Sequence, residues 1–182
     1  MAICRRWYRV VLVTFFCLCF AVSPALAGIN DDAFDGNIYA LYAGNGALVP
    51  PRVTLKDSFN RKKPAILVFY VDDSSDCKQF ASVVSGVQAF YGRAADILPI
   101  NVDTMPVKSS YERTEPGYYY NGVVPESVII DGSGKVVLDA KGQVSFDTID
   151  AVFRQVFDLL PSSESKELKR RSFNEFNSEL SN

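Results

Sequence analysis

Residues 65–78 read AILVFYVDDSSDCK, an apolar run of strand length followed by an acidic turn. The run is rich in β-branched and aromatic residues and contains no charge, a pattern typical of a central strand covered on both faces. After the turn, from Cys77 to Tyr91, apolar residues recur at intervals of one and three, which indicates one face of a helix ending near Gly92. A strand, a tight turn and a helix therefore form the centre of the predicted fold.

The segments around this centre predict the remaining elements. Further strands are expected at residues 96–102, 123–130 and 135–140, with a hairpin turn at 131–134. Further helices are expected at residues 54–60 and 146–160. This order of elements predicts an α/β fold, a sandwich in which helices flank a central mixed β-sheet.

The ends of the chain differ in composition from this domain, which we place at residues 54–160. Residues 1–27 are typical of an export signal, with basic residues before an apolar run at 10–22 and small residues before a cleavage site after Ala27. The run has 13 residues, and a spanning helix needs about 20, so cleavage is favoured over a retained membrane anchor. Residues 28–53 resemble a loose lead-in with one short strand at 38–43, and residues 161–182 a polar, partly helical tail.

Composition excludes several classes of function. The chain has no histidine, which removes the usual partner of a catalytic serine or cysteine and the commonest zinc ligand. Loss of the three signal arginines leaves 16 of the 19 basic residues against 21 acidic ones, a net charge near −5 that disfavours nucleic-acid binding. Cys77 is the one cysteine after the signal, so the exported chain has no internal disulfide. We expect neither a metal nor a cofactor, and a solvated acidic turn at 72–76 in preference to a calcium site.

The segment from Ile66 to Phe80 resembles the active-site region of the thioredoxin family, in which a strand ends in a Trp-Cys-x-x-Cys-Lys turn that opens a helix. Cys77-Lys78 matches the second cysteine and its lysine, while Ser74 stands in place of the first cysteine. Residues 122–127, GVVPES, are similar to the family's proline segment. The resemblance implies a cis peptide bond at Val124–Pro125, opposite the turn.

The departures from this family concern its chemistry. The first cysteine is the attacking thiolate of a dithiol reaction, and the second only resolves the mixed disulfide. The family's buried strand acid falls on Val68 and its tryptophan on Asp73. Asp72, Asp73 and Asp76 are also expected to raise the pKa of a neighbouring thiol. We therefore predict no catalytic residues and a degenerate redox site at Ser74 and Cys77.

A narrower resemblance fits these departures, namely to the exported, thioredoxin-like photosystem I accumulation factors of cyanobacterial thylakoid membranes. The signal, the domain size, the missing cysteine and the short charged tail support it. The resemblance implies a non-catalytic assembly factor at the thylakoid membrane or in its lumen, with photosystem I subunits or assembly intermediates as protein partners.

The docking surface is expected around Val124 and Pro125, with Tyr118, Tyr119 and Tyr120 as an exposed aromatic platform, although local packing of the tyrosines is also open. Two other functions stay open at this point. One is an exported thiol oxidoreductase or monothiol redox protein that uses Cys77. The other is a generic periplasmic thioredoxin-like binding protein.

Overall fold

The computed structural model describes residue 7, residues 11–17 and residues 28–165. Most of the predicted signal, its cleavage site and residues 166–182 of the predicted tail lie outside these residues. Residues 11–17 are helical and exposed, and the tail begins with a 3₁₀ turn at Ser162–Glu164.

Four strands form one mixed sheet, with the order β2-β1-β3-β4. The parallel neighbour of β1 is β2, whereas β3 runs antiparallel to both β1 and β4. Pro99 lies within β2, at an edge of the sheet, where a residue without an N–H is tolerated. The strands are β1 (Ala65–Tyr70), β2 (Asp96–Asn101), β3 (Glu126–Ile130) and β4 (Val136–Lys141).

Within residues 28–165, four α-helices accompany the sheet, and the local sequence explains where two of them begin. Thr54 caps the second helix in a reciprocal capping box with Asp57, and Ser145 caps the fourth through the N–H of Thr148. The helices are α1 (Ile38–Leu41), α2 (Leu55–Asn60), α3 (Ser75–Tyr91) and α4 (Phe146–Val156).

The alternation of side chains along β1 divides the core into two clusters. Ile66, Val68 and Tyr70 point to the face that α1, α3 and α4 cover. Leu67 and Phe69 point to the other face, where α2 and the connection at residues 102–120 pack. All six residues of β1 are buried, which confirms the prediction of a central strand covered on both faces.

Two predictions of secondary structure are wrong. Residues 38–41 form a helix and not a strand, because the Asn37 side chain accepts a hydrogen bond from the N–H of Ala40 and so caps a helical turn. The segment is also not loose, since Ile38 and Tyr39 are buried in the core. The last helix ends at Val156, and not near Leu160, because the chain turns at Asp158, whose φ is +52°.

Candidate protein-docking site

The end of β1 and the start of β3 lie side by side, which brings the two predicted site regions together. Phe69 pairs with Glu126 across the antiparallel ladder, so Pro125 lies next to Tyr70, where the chain enters the turn at residues 71–78. The Val124–Pro125 peptide bond is cis, as predicted. Val124 packs against both core clusters and thus lies where the two faces meet.

Ser74 has a structural function at the position of the missing cysteine. It has an extended backbone conformation and is the N-cap of α3, and its hydroxyl accepts a hydrogen bond from the N–H of Cys77 at 3.4 Å. A serine side chain satisfies one of the free N–H groups at the start of a helix. At this position the chain therefore has a helix cap where the thioredoxin family has a nucleophile.

Cys77 faces the core from the first turn of α3, and only 1% of it is exposed. Burial raises the pKa of this thiol above its ordinary value, and the nearby Asp76 and Asp73 carboxylates add to the effect. The expected contribution of the acidic turn is thus present but is smaller than that of burial. At neutral pH Cys77 is a protonated thiol without access to a disulfide substrate.

Asp73 and Asp76 of the acidic turn are exposed, as expected, whereas Asp72 is partly buried. Asp72 accepts hydrogen bonds from the N–H of Ile38 at 3.1 Å and from Asn101 Nδ2 at 2.9 Å, and burial raises its pKa. Asp76 accepts from Gln143 Nε2 at 2.9 Å. Among the residues that the structure describes, no group of three or more acidic or cysteine side chains is placed to hold a metal ion.

Residues 28–45, which we name the covering segment, close this end of the domain. Tyr39 lies edge-on against Tyr70 at a centroid distance of 5.0 Å, within the core cluster that holds Cys77. Asp32 accepts a hydrogen bond from the N–H of Ser75 at 2.8 Å and so occupies a free donor at the N-terminus of α3. The segment that the sequence suggested as a loose lead-in therefore covers the thiol and the helix start.

Lys78 attaches the covering segment to α3. Its side chain has no solvent exposure, and its Nζ lies 2.6 Å from Asp35 Oδ2 and 2.9 Å from Asp31 Oδ1. The same nitrogen donates to the carbonyl oxygens of Gly28 and Asp31, each at 3.0 Å, and lies 5.5 Å from the centre of the Tyr42 ring. Burial alone would lower the pKa of Lys78, but the two carboxylates more than offset it and raise that pKa.

The three consecutive tyrosines do not form a single exposed platform. Tyr119 is buried in the second core cluster and donates its hydroxyl to the carbonyl oxygen of Arg113 at 2.9 Å. Tyr120 is half-buried against Phe69, at a centroid distance of 5.1 Å. Tyr118 is 53% exposed and is the tyrosine available for contact. Two of the three rings, those of Tyr119 and Tyr120, therefore pack against the second core cluster and are not available as a platform.

Glu126 fixes the loop that carries the cis-proline. Its side chain is buried, and it accepts hydrogen bonds from the backbone N–H of Asn121, at 2.9 Å, and from the Asn121 side chain. Residues 121–125 are thus held at both ends, while Val123 remains 42% exposed. A fixed backbone with exposed Tyr118 and Val123 beside it suits the binding of a partner, since less ordering is needed on association.

An apolar groove of about 520 Å³ continues from the tyrosine loop. Pro116 and Gly117, which precede Tyr118, form part of its wall, and Leu98 and Ile100 of β2 line the groove as well. The accessible surface beside the tyrosine loop is therefore largely apolar, with charged side chains such as Lys56 and Glu112 at the groove. Cys77 carries the thiol among the site residues, and it is buried.

Sequence reasoning identified Ser74, Cys77 and Pro125 and matched Lys78 to the lysine of the family, but it missed the ion pairs of Lys78 and the packing of Tyr39 on Tyr70. The contacts of Lys78 with Asp31 and Asp35 join residues more than 40 positions apart, which no local pattern shows. Two features of the sequence could have indicated these contacts: the three aspartates at 31–35, which precede Asn37, a good helix cap, and the lysine next to Cys77.

Comparison with known proteins agrees with this geometry. The sequence model of the thioredoxin-like domain matches residues 52–157, and the chain therefore belongs to the thioredoxin-like family. It is also 51% identical, over 191 residues, to the thylakoid membrane protein slr1796 of Synechocystis sp., with 99% of this chain and 94% of that protein covered. The predicted resemblance to thioredoxin-like proteins of thylakoid membranes is confirmed.

Two solved structures are similar at low identity. Chloroplastic thioredoxin z is 17% identical, with a TM-score of 0.45, over 57% of this chain and 88% of that chain. A malarial protein is 13% identical, with a TM-score of 0.42, over 51% of this chain and 96% of that chain. Within residues 7, 11–17 and 28–165, no helix is long and apolar enough to cross a membrane.

Proposed function

We propose that this protein is a non-catalytic assembly or accumulation factor for photosystem I, which binds a protein partner at the thylakoid membrane or in its lumen. The proposal rests on the two residues that stand at the redox site of the thioredoxin family, Ser74 and Cys77. Ser74 caps α3 in place of a nucleophile, and Cys77 is 1% exposed with its pKa raised by burial.

The binding part of the proposal rests on the surface beside that site. The loop of the cis-proline is fixed by the buried Glu126, and Tyr118 and Val123 are exposed next to it. Aromatic residues contribute strongly to protein interfaces because a rigid ring buries a large area at low entropic cost. We therefore place the contact with the partner on the surface around Tyr118, Val123 and the adjoining groove.

The thylakoid location is supported by the relative of 51% identity, which is named a thylakoid membrane protein. The export signal that we predict in residues 1–27 supports transfer across a membrane. Photosystem I as the assembled complex is supported by the layout described above: an export signal, a domain of this size, the loss of the first cysteine and a charged tail.

A deletion strain tests the proposal directly. The ratio of photosystem I to photosystem II is measured in cells that lack the gene and in cells that receive the wild-type, Cys77→Ser or Tyr118→Ser version. We expect a selective fall of photosystem I in the deletion strain, full restoration by the wild-type and Cys77→Ser proteins, and weaker restoration by Tyr118→Ser. Equal protein levels, checked by immunoblot, are the control.

Other outcomes would decide for one of the rival functions. An unchanged ratio in the deletion strain would remove the photosynthetic assignment and leave an exported thioredoxin-like binding protein. Failure of Cys77→Ser to restore photosystem I, together with turnover of a disulfide substrate by the wild-type protein, would establish a thiol oxidoreductase.

A further inference from the structure

The ion cluster around Lys78 contains one more carboxylate than cation. It contains the carboxylates of Asp31 and Asp35 and the single ammonium group of Lys78. In the part of the chain that the structure describes, no second cationic side chain forms an ion pair with either aspartate. The Asp35 side chain is only 9% exposed, so solvent compensates its charge poorly. A second cation at this place would make the cluster neutral.

Gly28 lies within the same cluster through both of its backbone groups. Its carbonyl oxygen accepts from Lys78 Nζ at 3.0 Å, and the same ammonium group lies 2.6 Å from Asp35 Oδ2. The pKa of Asp35 is lowered chiefly by hydrogen bonds from Lys78 and the Tyr42 hydroxyl, and to a smaller extent by the adjacent backbone N–H of Gly28. A side chain at this position would meet Asp31, because a Cβ atom on Gly28 would lie 2.2 Å from Asp31 Oδ2. The carboxylate of the half-exposed Asp31 side chain thus packs directly against this residue.

We propose that the second cation is the α-amino group of Gly28, released by signal cleavage after Ala27, and that the processed N-terminus is bound by Asp35 as part of the fold. Hydrolysis of the Ala27–Gly28 peptide bond consumes one water molecule. The new carboxylate leaves on Ala27 with the signal, and the new amine on Gly28 takes up a proton at neutral pH. The N–H that donates to Asp35 then becomes an ammonium group at the same place.

This arrangement couples export processing to closure of the covering segment. Before cleavage, the nitrogen of Gly28 is a neutral amide and contributes a hydrogen bond without a charge. After cleavage, it forms an ion pair with Asp35, and a hydrogen bond between charged groups is roughly twice as strong as one between neutral groups. The processed protein therefore holds residues 28–45 over Cys77 more firmly than the precursor does.

The test uses the full precursor, expressed with its own signal in a cyanobacterial host, from which the processed protein is purified. The matched control carries a Gly-Ser insertion between Ala27 and Gly28, which moves the new amine away from Asp35 and changes no residue of the domain. Mass spectrometry establishes the N-terminus of both proteins. The rate of α-amine acylation at pH 7.5 is then compared between them, in native buffer and in urea.

We expect a wild-type N-terminus at Gly28 and an α-amine that reacts roughly tenfold more slowly than that of the insertion variant, the effect of about one unit of raised α-amino pKa. The difference should vanish in urea. The wild-type Tm should be several degrees higher than that of the insertion variant, and Asp35→Asn or the milder Asp31→Asn should reduce this gap. A retained signal, a different N-terminus or equal native acylation rates would overturn the proposal, whether or not the protein acts on photosystem I.

Discussion

Two loops meet at the same end of the sheet, and they differ in what they leave accessible. The turn at residues 71–78 places Cys77 in the core beneath the covering segment, whereas the loop at residues 118–125 leaves Tyr118 and Val123 exposed. Both loops are rigidly held, the first by Ser74 and Lys78 and the second by Glu126. Access to the thiol of Cys77 is thus closed at one loop, while the adjacent loop keeps apolar side chains exposed to solvent.

The largest expected effect concerns the closed loop, through the reactivity of Cys77. We expect a thiol reagent at pH 8 to label native Cys77 at least about a hundredfold more slowly than in urea, because the thiol is buried and its pKa is raised. Labelling is followed by mass spectrometry, with Cys77→Ser as the background for cysteines of any retained signal. Equal rates with and without urea would show that the covering segment does not close the site.

The second effect concerns the anchor of the covering segment. Lys78→Met leaves two carboxylates without their buried cation, and we expect the Tm to fall by roughly 10 °C. The same substitution at the exposed Lys108, paired with Glu115, is the matched control and should change the Tm little. Thermal unfolding followed by circular dichroism measures both. Similar shifts for the two variants would mean that the buried cluster is no stronger than a surface pair.

Substitutions of the adjacent Tyr118 and Tyr119 compare the stability contribution of an exposed ring in the loop with that of a buried ring in the core. Tyr119→Ala removes a buried ring and its bond to Arg113, and we expect a loss of about 3 kcal/mol in the free energy of unfolding. Tyr118→Ala removes an exposed ring and should change that free energy by no more than about 0.5 kcal/mol. Urea titration provides the values. A large effect at Tyr118 would assign this ring to stability and not to contact.

A smaller effect is expected for the helix cap in the closed loop. Ser74→Ala removes the side-chain acceptor for the N–H of Cys77 and should cost about 1 kcal/mol. Ser82→Ala, at an exposed position in the same helix, is the control and should be nearly neutral. If the two substitutions have the same effect in urea titration, Ser74 does not stabilise the helix as a cap.

The smallest effect is expected from restoring the missing cysteine. Ser74→Cys recreates the spacing of two cysteines, but Val68 still stands where the family has its buried acid and Cys77 is still covered. We therefore expect disulfide reductase turnover at the background level of the wild-type protein. Turnover well above that level would show that the nucleophile alone was lost and that the covering segment opens readily.

Local sequence patterns predicted the secondary-structure elements that depend only on residues adjacent in the chain. The apolar run of β1 and the helix expected at residues 54–60 each depend on a few adjacent residues, and the structure has both. The cis bond before Pro125 was implied by the resemblance to the thioredoxin family, and the structure has it as well. The short helix α1 escaped prediction because four residues are too few to show a helical period.

The covering of the site could not be predicted, because its causes are long-range. Lys78 meets Asp35 only after the chain has passed through α1, α2 and β1, and Tyr39 reaches Tyr70 in the same way. The opposite environments of Tyr118 and Tyr119 depend likewise on the second core, which is built from α2 and the strands β1, β2 and β3. Residue type alone does not distinguish two adjacent tyrosines.

Pro99 limits the way in which another chain can attach to this protein. At the edge of a sheet, strands of two molecules can join through their free backbone groups and begin an unlimited stack. Pro99 interrupts that possibility in the middle of β2, and Asp139 and Lys141 place charges on β4, the opposite edge. Both edges of the sheet thus carry features that disfavour the addition of a strand from another molecule.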